Sequence, residues 1–546
     1  MGGRLLRVTQ GADRFLICCL FFLTVFVLLI RVLQFDGPDV VMDDAFISFR
    51  YAVNLARGLG PVYNPGERVE GYTSFLWIVL LAICAGLGMD IIVASKALAL
   101  LSAIGTIAVL FLFQKHIVNQ EGQKNLLIWA FPAMLFAAMG SQARYVASGM
   151  ETLLFAFLLG VATYVYLYSY RPFLAGLAFA FLSLTRPEGL LYFALALGCQ
   201  VVTTYQDSRA FRSRYTLSFV GGFLVLYGSY FLWRYSYYGH LLPNTFYAKV
   251  GGLYWARIQR GWNLLRQVMG WWSLWPILGL ASIELCFQYI GFRTLNPTAK
   301  KRLLFFTLAI LTTIFYFTFV GGDFIVWFGP RFLIPVLPML LLLSSEGIRR
   351  VLSFPFIPTL LQKSLKGILL AFLFFNAWWL SWPARFFSKE TFSVQMRGWA
   401  EMGRWIAAHT PLDATVATDA AGLIPFYSER YSIDMFGLTD LHIAHMNIPI
   451  TEQSIVAHEK YDPEYILQRR PDYIVSTWMD PAGHAVSAGL PLVGEKFRQC
   501  YELIAVAKIR HGAPADGQWI IVTSSYSSDL YEQGYVTGLF QRKCSP

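Results

Sequence analysis

Apolar runs of about 17 residues or more return repeatedly through the first 390 positions, each close to the length a helix needs to cross a bilayer. With 56% apolar and only 14% charged residues, the chain is too apolar for a water-soluble globule. The pattern changes near Lys389, where charges, prolines and short β-branched runs begin to alternate. The expected architecture is a polytopic α-helical membrane protein, residues 1–388, followed by a soluble α/β domain, residues 389–546.

The net charge of +11 does not point to nucleic acid, because the basic residues gather in short loops between apolar runs. Taking Arg4, Arg7 and Arg14 as cytoplasmic, the loops 114–124, Arg171, 205–214, 293–302 and 346–366 belong on the same side. Parity then allows an even number of crossings before loop 114–124, and the short, glycine-broken segment 73–88 is demoted to a juxtamembrane or re-entrant helix. About eleven spans remain, near 15–35, 90–113, 125–140, 150–169, 172–185, 189–204, 215–236, 270–292, 303–320, 332–346 and 368–384. The segment Phe15–Val32 lacks a small-residue cleavage site and is expected to stay as the first span. The seven cysteines are scattered, without CxxC or metal spacing, so neither a disulfide framework nor zinc is expected.

This parity places every conspicuous polar cluster on the outer side, together with the C-terminal domain. In DDAFISFRYAVNLARG, Phe46, Phe49, Val53 and Ala56 recur at helical spacing, while Arg50, Asn54 and Arg57 lie elsewhere around the turn. That describes a helix in the membrane interface within the first outer loop, residues 37–72. Asp43 and Asp44 at its start are either a helix cap or, as a pair, a general base or metal ligand. The loop 237–249 mixes His240, Asn244 and Lys249 with aromatics, and Arg257, Arg260 and Arg266 follow. Such an outward basic loop suits a phosphate headgroup, though an aromatic belt with snorkelling cations has the same composition.

In GGDFIVWFGPRF, Asp323 and Arg331 form either a structural ion pair or a substrate clamp. LTRPEG sets Arg186 beside Glu188, which either act on a ligand or neutralise each other. SGMET puts Glu151 at a helix start, where capping is the simpler reading. In the soluble part, 414–440 reads as strand, turn, short helix, strand and polar loop. Its Asp419, Asp434 and Asp440, with His442 and His445, are metal ligands or, more simply, strand-end polar residues. Walker A, GxGxxG, GxSxG and HExxH patterns are all missing, which removes the usual support for nucleotide hydrolysis, nicotinamide chemistry, serine hydrolysis and zinc proteolysis.

Taken together, Asp43-Asp44 with its amphipathic helix, NPGERVEGYTS at 64–74, SGMET, LTRPEG, YYGHLLPNTFYAK, GGDF with RFLIPVLP, and DMFGLTDLHIAH resemble the polytopic GT-C glycosyltransferases over residues 40–450. Within them, the chain is most similar to bacterial cell-envelope arabinofuranosyltransferases of the mycobacterial terminal β-(1→2) type, which use a polyprenyl-phosphate arabinose donor. The resemblance implies attack by an acceptor hydroxyl on a lipid-phosphate sugar at the outer face, with inversion at the anomeric carbon. It implies an acidic base on the first outer loop, Asp43 or Asp44. Arg186, Lys249 and Arg331, with His240 and Asn244, would hold the phosphate, and Glu70, Tyr72, Glu151 and Asp323 would complete the substrate site.

The adjacent Asp-Asp pair departs from the spaced DxD of some relatives, so a divalent cation (Mg, Mn or Ca) is left open. The implied partners are the polyprenyl-phosphate-linked donor, a glycan or glycoprotein acceptor oriented by the soluble domain, and the lipid bilayer. Other readings are a transferase for another sugar such as mannose or aminoarabinose, a lipid or solute transporter, and an assembly factor with a degenerate site. A transporter would carry mid-membrane charges in matched halves, whereas here they gather at one face and no internal repeat is visible. The absence of any N-x-S/T acceptor in which x is not proline favours a bacterial plasma membrane over an endoplasmic reticulum one.

Overall fold

The computed structural model describes residues 2–544 apart from 38–40, 122–125, 209–213, 250–253, 273, 324–328, 353–358, 381–388, 449–459, 488–489, 492–494 and 511–517. The 381–388 stretch at the expected domain boundary, the middle of 321–332 and parts of loops 114–124, 205–214 and 346–366 lie outside the described residues.

The chain is mostly helical up to His409, where the Lys389–His409 helix ends. Among the described residues four helices are long and apolar enough to cross a membrane: Phe15–Phe35, Ile91–Ile117, Arg214–Tyr238 and Pro297–Phe319. Two bent pairs raise that number to six if each counts as one span. The chain is thus a multi-pass membrane protein, but the expected count of about eleven does not emerge from helix length and composition. Several expected spans are helices of 10–17 residues, such as Pro172–Thr185 and Glu188–Thr204. The segment around 73–88 folds as the short helix Phe75–Gly86.

The bends show what an apolar run leaves undetermined. The Gly140–Ala147 and Thr152–Tyr168 helices meet at 116°. Gly149 makes the corner with φ +79°, and a Cβ there would lie 2.9 Å from Phe49 and Val41. Two backbone carbonyls freed at the corner accept bonds from Met42 N, to Ser148 O at 3.0 Å, and from Trp77 Nε1, to Gly149 O at 3.2 Å. The broken helix therefore seats the loop that follows the first apolar helix.

That loop begins with the Asp43–Ala56 helix, and its environment differs from the expected interfacial one. Its buried residues lie all around the turn and include Arg50 and Asn54. Arg50 reaches across to the C-terminal domain, donating to Arg430 O at 2.7 Å and to Pro425 O, as well as to Tyr63 O at 2.8 Å. A buried cation is tolerated here because carbonyl oxygens surround it. The short helix Asn244–Lys249 likewise replaces part of the expected 237–249 loop, starting directly after Pro243.

The C-terminal domain is built on a six-stranded mixed sheet. Its strands are β1 (Thr415–Thr418), β2 (Tyr431–Asp434), β3 (Tyr473–Ser476), β6 (Tyr501–Lys508), β7 (Ile520–Val522) and β8 (Tyr535–Arg542); Val486–Ser487 and Leu490–Pro491, β4 and β5, form a separate two-stranded ribbon. The order is β2-β1-β3-β8-β6-β7, with β1 parallel to both β2 and β3 and the remaining pairs antiparallel. Two apolar layers cover the sheet, one around Ile433, Ile474 and Phe540 and the other around Met402, Val416 and Leu539. One expectation fails here, because Cys500 and Cys544 form a disulfide with Cα atoms 4.7 Å apart. They are 44 residues apart in sequence, but the pairing of Tyr501 with Arg542 brings the two strand ends together.

Candidate functional site

The two carboxylates that the sequence pairs part company in the structure. Asp43 caps a helix, although not its own: its carboxylate accepts the backbone N–H of Leu423 at 2.6 Å and of Gly422 at 3.2 Å, at the start of the Leu423–Ser428 helix. The fit is close, since a Cβ on Gly422 would stand 1.9 Å from Asp43 O. Burial pushes the Asp43 carboxyl up to about 7, against the lowering effect of the Leu423 N–H. A raised acid favours the folded state when protonated. Its contribution is full below the ordinary value of 3.8 and is lost as pH rises through 7. We expect the thermal midpoint of the wild type to carry a decline over pH 4–8 that Asp43→Asn lacks; parallel curves for the two proteins would refute this.

Asp44 turns the other way. Its side chain is 43% exposed, and its Oδ2 lies 3.7 Å from the guanidinium of Arg331. Arg331 also pairs with Asp323, Nε to Oδ2 at 2.8 Å, and Asp323 is only 2% exposed. Despite burial, Asp323 holds the Arg331 guanidinium above its ordinary range. Lys249 belongs to the same group. Burial first, then Arg331, pulls its ammonium below the usual lysine range, and Asp44 and Asp323 oppose this. Arg186 stands in this electrostatic neighbourhood, bonded to Glu151 Oε1 at 2.8 Å and to Glu188 Oε1 at 2.8 Å. Glu151 therefore partners Arg186 and leaves its own helix without a side-chain cap.

A small pocket lies between Arg186 and Arg331, lined further by Tyr192, Thr313, Tyr316 and Phe332. A second small pocket borders the same 330–337 segment and is lined by apolar side chains alone, among them Met139, Met269, Ile310, Ile314 and Leu333. Cations beside an apolar pocket between helices suit a phosphate that carries a hydrocarbon tail.

The other expected site residues do different work. Glu70 forms a buried pair with Arg234, Nε to Oε1 at 2.9 Å, with exposures of 4% and 5%. Arg234 also donates to the carbonyls of His240 and Leu241. Tyr72 bonds Tyr238 at 3.0 Å. Asn244 spends its amide on the carbonyls of Gly437, Leu438 and Asp440. The His240 ring lies 5.2 Å from that of His445. These groups fasten loops to one another and to the C-terminal domain. Removing one member of a buried pair leaves a desolvated charge, so Glu70→Gln should cost roughly 3–5 kcal/mol, seen as a large fall in thermal midpoint. A midpoint within a degree of wild type would return Glu70 to the pool of substrate-contacting residues.

The donor set does not suit Mg, Mn or Ca. Asp43 is occupied by backbone amides, Asp323 by Arg331, and the charges facing Asp44 are cationic. In the C-terminal domain, Asp434 accepts from Phe436 N and Thr439 N, Asp440 from Ile443 N, and Asp419 from Thr477. These are the strand-end roles weighed against metal binding, and the described residues contain no group of three metal-capable side chains. Sequence reading missed Tyr145, which is buried, donates to Gly329 O at 3.1 Å and feels Asp323, Arg331, Arg186 and Glu151. A clue existed in SQARY, a polar interruption between two apolar runs.

Residues 389–531 match the family model of a domain of unknown function (DUF8728). The chain is 30% identical over 224 residues to a terminal β-(1→2)-arabinofuranosyltransferase of Mycobacterium tuberculosis, covering 38% of this chain and 35% of that protein. It is 28% identical over 347 residues to its Corynebacterium glutamicum counterpart, covering 56% and 47%. The aligned region thus spans about a third to a half of these curated relatives. In three dimensions the fold matches apo ArnT from Cupriavidus metallidurans with a TM-score of 0.50 and 15% identity, over 81% of this chain and 90% of that one. The chain is a distant homologue of the mycobacterial and corynebacterial terminal β-(1→2)-arabinofuranosyltransferases, on a fold like that of the GT-C protein ArnT.

Proposed function

We propose that the protein is an inverting membrane glycosyltransferase. It moves a sugar, arabinofuranose by its relatives' activity, from a polyprenyl-phosphate donor to a hydroxyl of a cell-envelope glycan or protein. The observation that carries this reading is the meeting of Asp44 with Arg331, Lys249 and Arg186, where Arg331 and Arg186 line one pocket and a second, wholly apolar pocket borders the same 330–337 segment. Asp44 takes the proton of the acceptor hydroxyl, whose oxygen attacks the anomeric carbon from the side opposite the phosphate. The bond from that carbon to the phosphate oxygen breaks, and the polyprenyl phosphate leaves with the electron pair, its charge held by Arg331 and Lys249. Phosphate needs no proton to depart, so one base and fixed cations suffice. Asp43 acts through position, holding the start of its helix against the C-terminal domain. In this reading the chain crosses about eleven times, with the short helices tilted or bent, and the site faces outward from a bacterial plasma membrane, as the distribution of basic loops favours. The Cys500–Cys544 disulfide supports that side, where thiols oxidise.

The test is transfer by the purified chain from synthetic polyprenyl-phosphoryl-arabinofuranose to an oligoarabinofuranoside, with the product linkage read by NMR. A new linkage of inverted configuration is the expected product. Transfer from a mannosyl or aminoarabinosyl phosphate lipid instead would reassign the sugar. Turnover of none of these donors would refute the transferase reading.

A further inference from the structure

The chain leaves β1 towards β2 on one side, and β3 pairs with β1 on the other. β1 is therefore where strand order reverses, and in open α/β sheets the crevice outside the carboxyl ends of the strands at such a point is where ligands bind. Those ends carry Asp419–Gly422 after β1 and Thr477-Trp478 after β3. Asp43 fills the Gly422 side. Asp419 bridges to the other side, accepting from Thr477 N at 3.0 Å and Thr477 Oγ1 at 2.8 Å. Trp478 follows at once and is 38% exposed. Arg510 reaches it from beyond β6, which runs in the same sense as β3 because both pair antiparallel with β8. The guanidinium lies 4.1 Å over the indole and donates to Tyr531 OH at 3.0 Å.

An indole held by a stacked cation and 38% exposed offers a flat apolar bed rimmed by hydrogen-bond donors and a phenol. A sugar ring has the matching chemistry, an apolar C–H face bordered by hydroxyls. We propose that this crevice is the acceptor subsite: the end of a saccharide chain lies on Trp478, with Arg510 and Tyr531 meeting its hydroxyls. The bed follows β3, the strand next to β1, beyond whose end Asp43 docks, and Asp44 is the next residue along the chain. An acceptor lying there extends towards Asp44. This inference rests on the transferase reading.

The experiment uses the full chain in lipid nanodiscs, with polyprenyl-phosphoryl-arabinofuranose as donor and an oligoarabinofuranoside as acceptor. Trp478→Ala should raise the acceptor KM about tenfold, leaving kcat and donor KM within about twofold, and Trp478→Phe should restore most of the loss. Saturation-transfer NMR should show wild-type protein touching the C–H protons of the terminal sugar, and that signal should vanish in Trp478→Ala. If Trp478→Ala does not fold, Arg510→Lys, which keeps the charge but loses the planar stack, should raise the acceptor KM in its place. An unchanged acceptor KM and unchanged NMR contacts in a folded variant overturn the subsite. Saccharide contacts that depend on Trp478, in a wild type that turns over none of the arabinosyl, mannosyl and aminoarabinosyl phosphate lipids, uphold a saccharide site and overturn the transferase reading.

Discussion

Asp44→Asn is expected to lower kcat for sugar transfer by roughly 10²–10⁴-fold, the range for losing a positioned general base, while the thermal midpoint and donor binding stay near wild type. Asparagine keeps the shape and can still face Arg331, but it cannot take the acceptor proton. Because Asp44 is 43% exposed and its nearest cation is 3.7 Å away, little folding energy depends on its charge. Asp43→Asn should behave differently, losing about tenfold or less in kcat through weaker positioning and changing how stability depends on pH. The measurement is steady-state transfer by both variants beside their thermal midpoints. If Asp43→Asn were the dead enzyme and Asp44→Asn the active one, the roles drawn from their side-chain directions would have to be exchanged.

Arg331 carries the second large effect. Arg331→Met should reduce kcat by about 10²–10³-fold, the loss seen when one preorganised donor to a developing charge is removed. It should also reduce stability, because Asp323 is 2% exposed and would be left buried without its partner. The double variant Arg331→Met/Asp323→Asn separates these consequences. Neutralising Asp323 restores the thermal midpoint, yet the rate stays low if the guanidinium meets the phosphate. Recovery of rate and midpoint together would make the pair structural and take Arg331 out of the mechanism. The sequence posed this alternative from the spacing of GGDFIVWFGPRF alone and could not choose between its halves.

Part of the polar clustering is legible in the sequence. Asp44, Arg186, Glu151, Asp323, Lys249 and Arg331 stand out because ionisable residues are costly beside apolar spans, and the structure brings them into one electrostatic group. Glu70, Tyr72 and Asn244 stood out for the same reason, but they join loops to each other and to the C-terminal domain. Polarity marks a residue as needing a partner without naming the partner. Arg50 went unnoticed as an anchor because a helical-wheel reading assigns a cation to the solvated face, and only the packed C-terminal domain shows that this face is covered.

What the sequence determined by itself is whatever depends on short-range chemistry. Apolar runs required membrane helices, the change of composition near Lys389 separated off a sheet-containing domain, and TVAT-turn-helix-YSID foretold β1, the Leu423–Ser428 helix and β2. Tertiary structure alone decided the directions. Asp43 and Asp44 share a peptide bond and a helix start, yet successive helical side chains point about 100° apart, so one faces Gly422 and the other Arg331. Likewise Cys500 and Cys544 meet only because antiparallel strands put them side by side. The reason is common to both cases: which groups touch is set by how separate elements pack, and the carboxylates' division of labour follows from that packing.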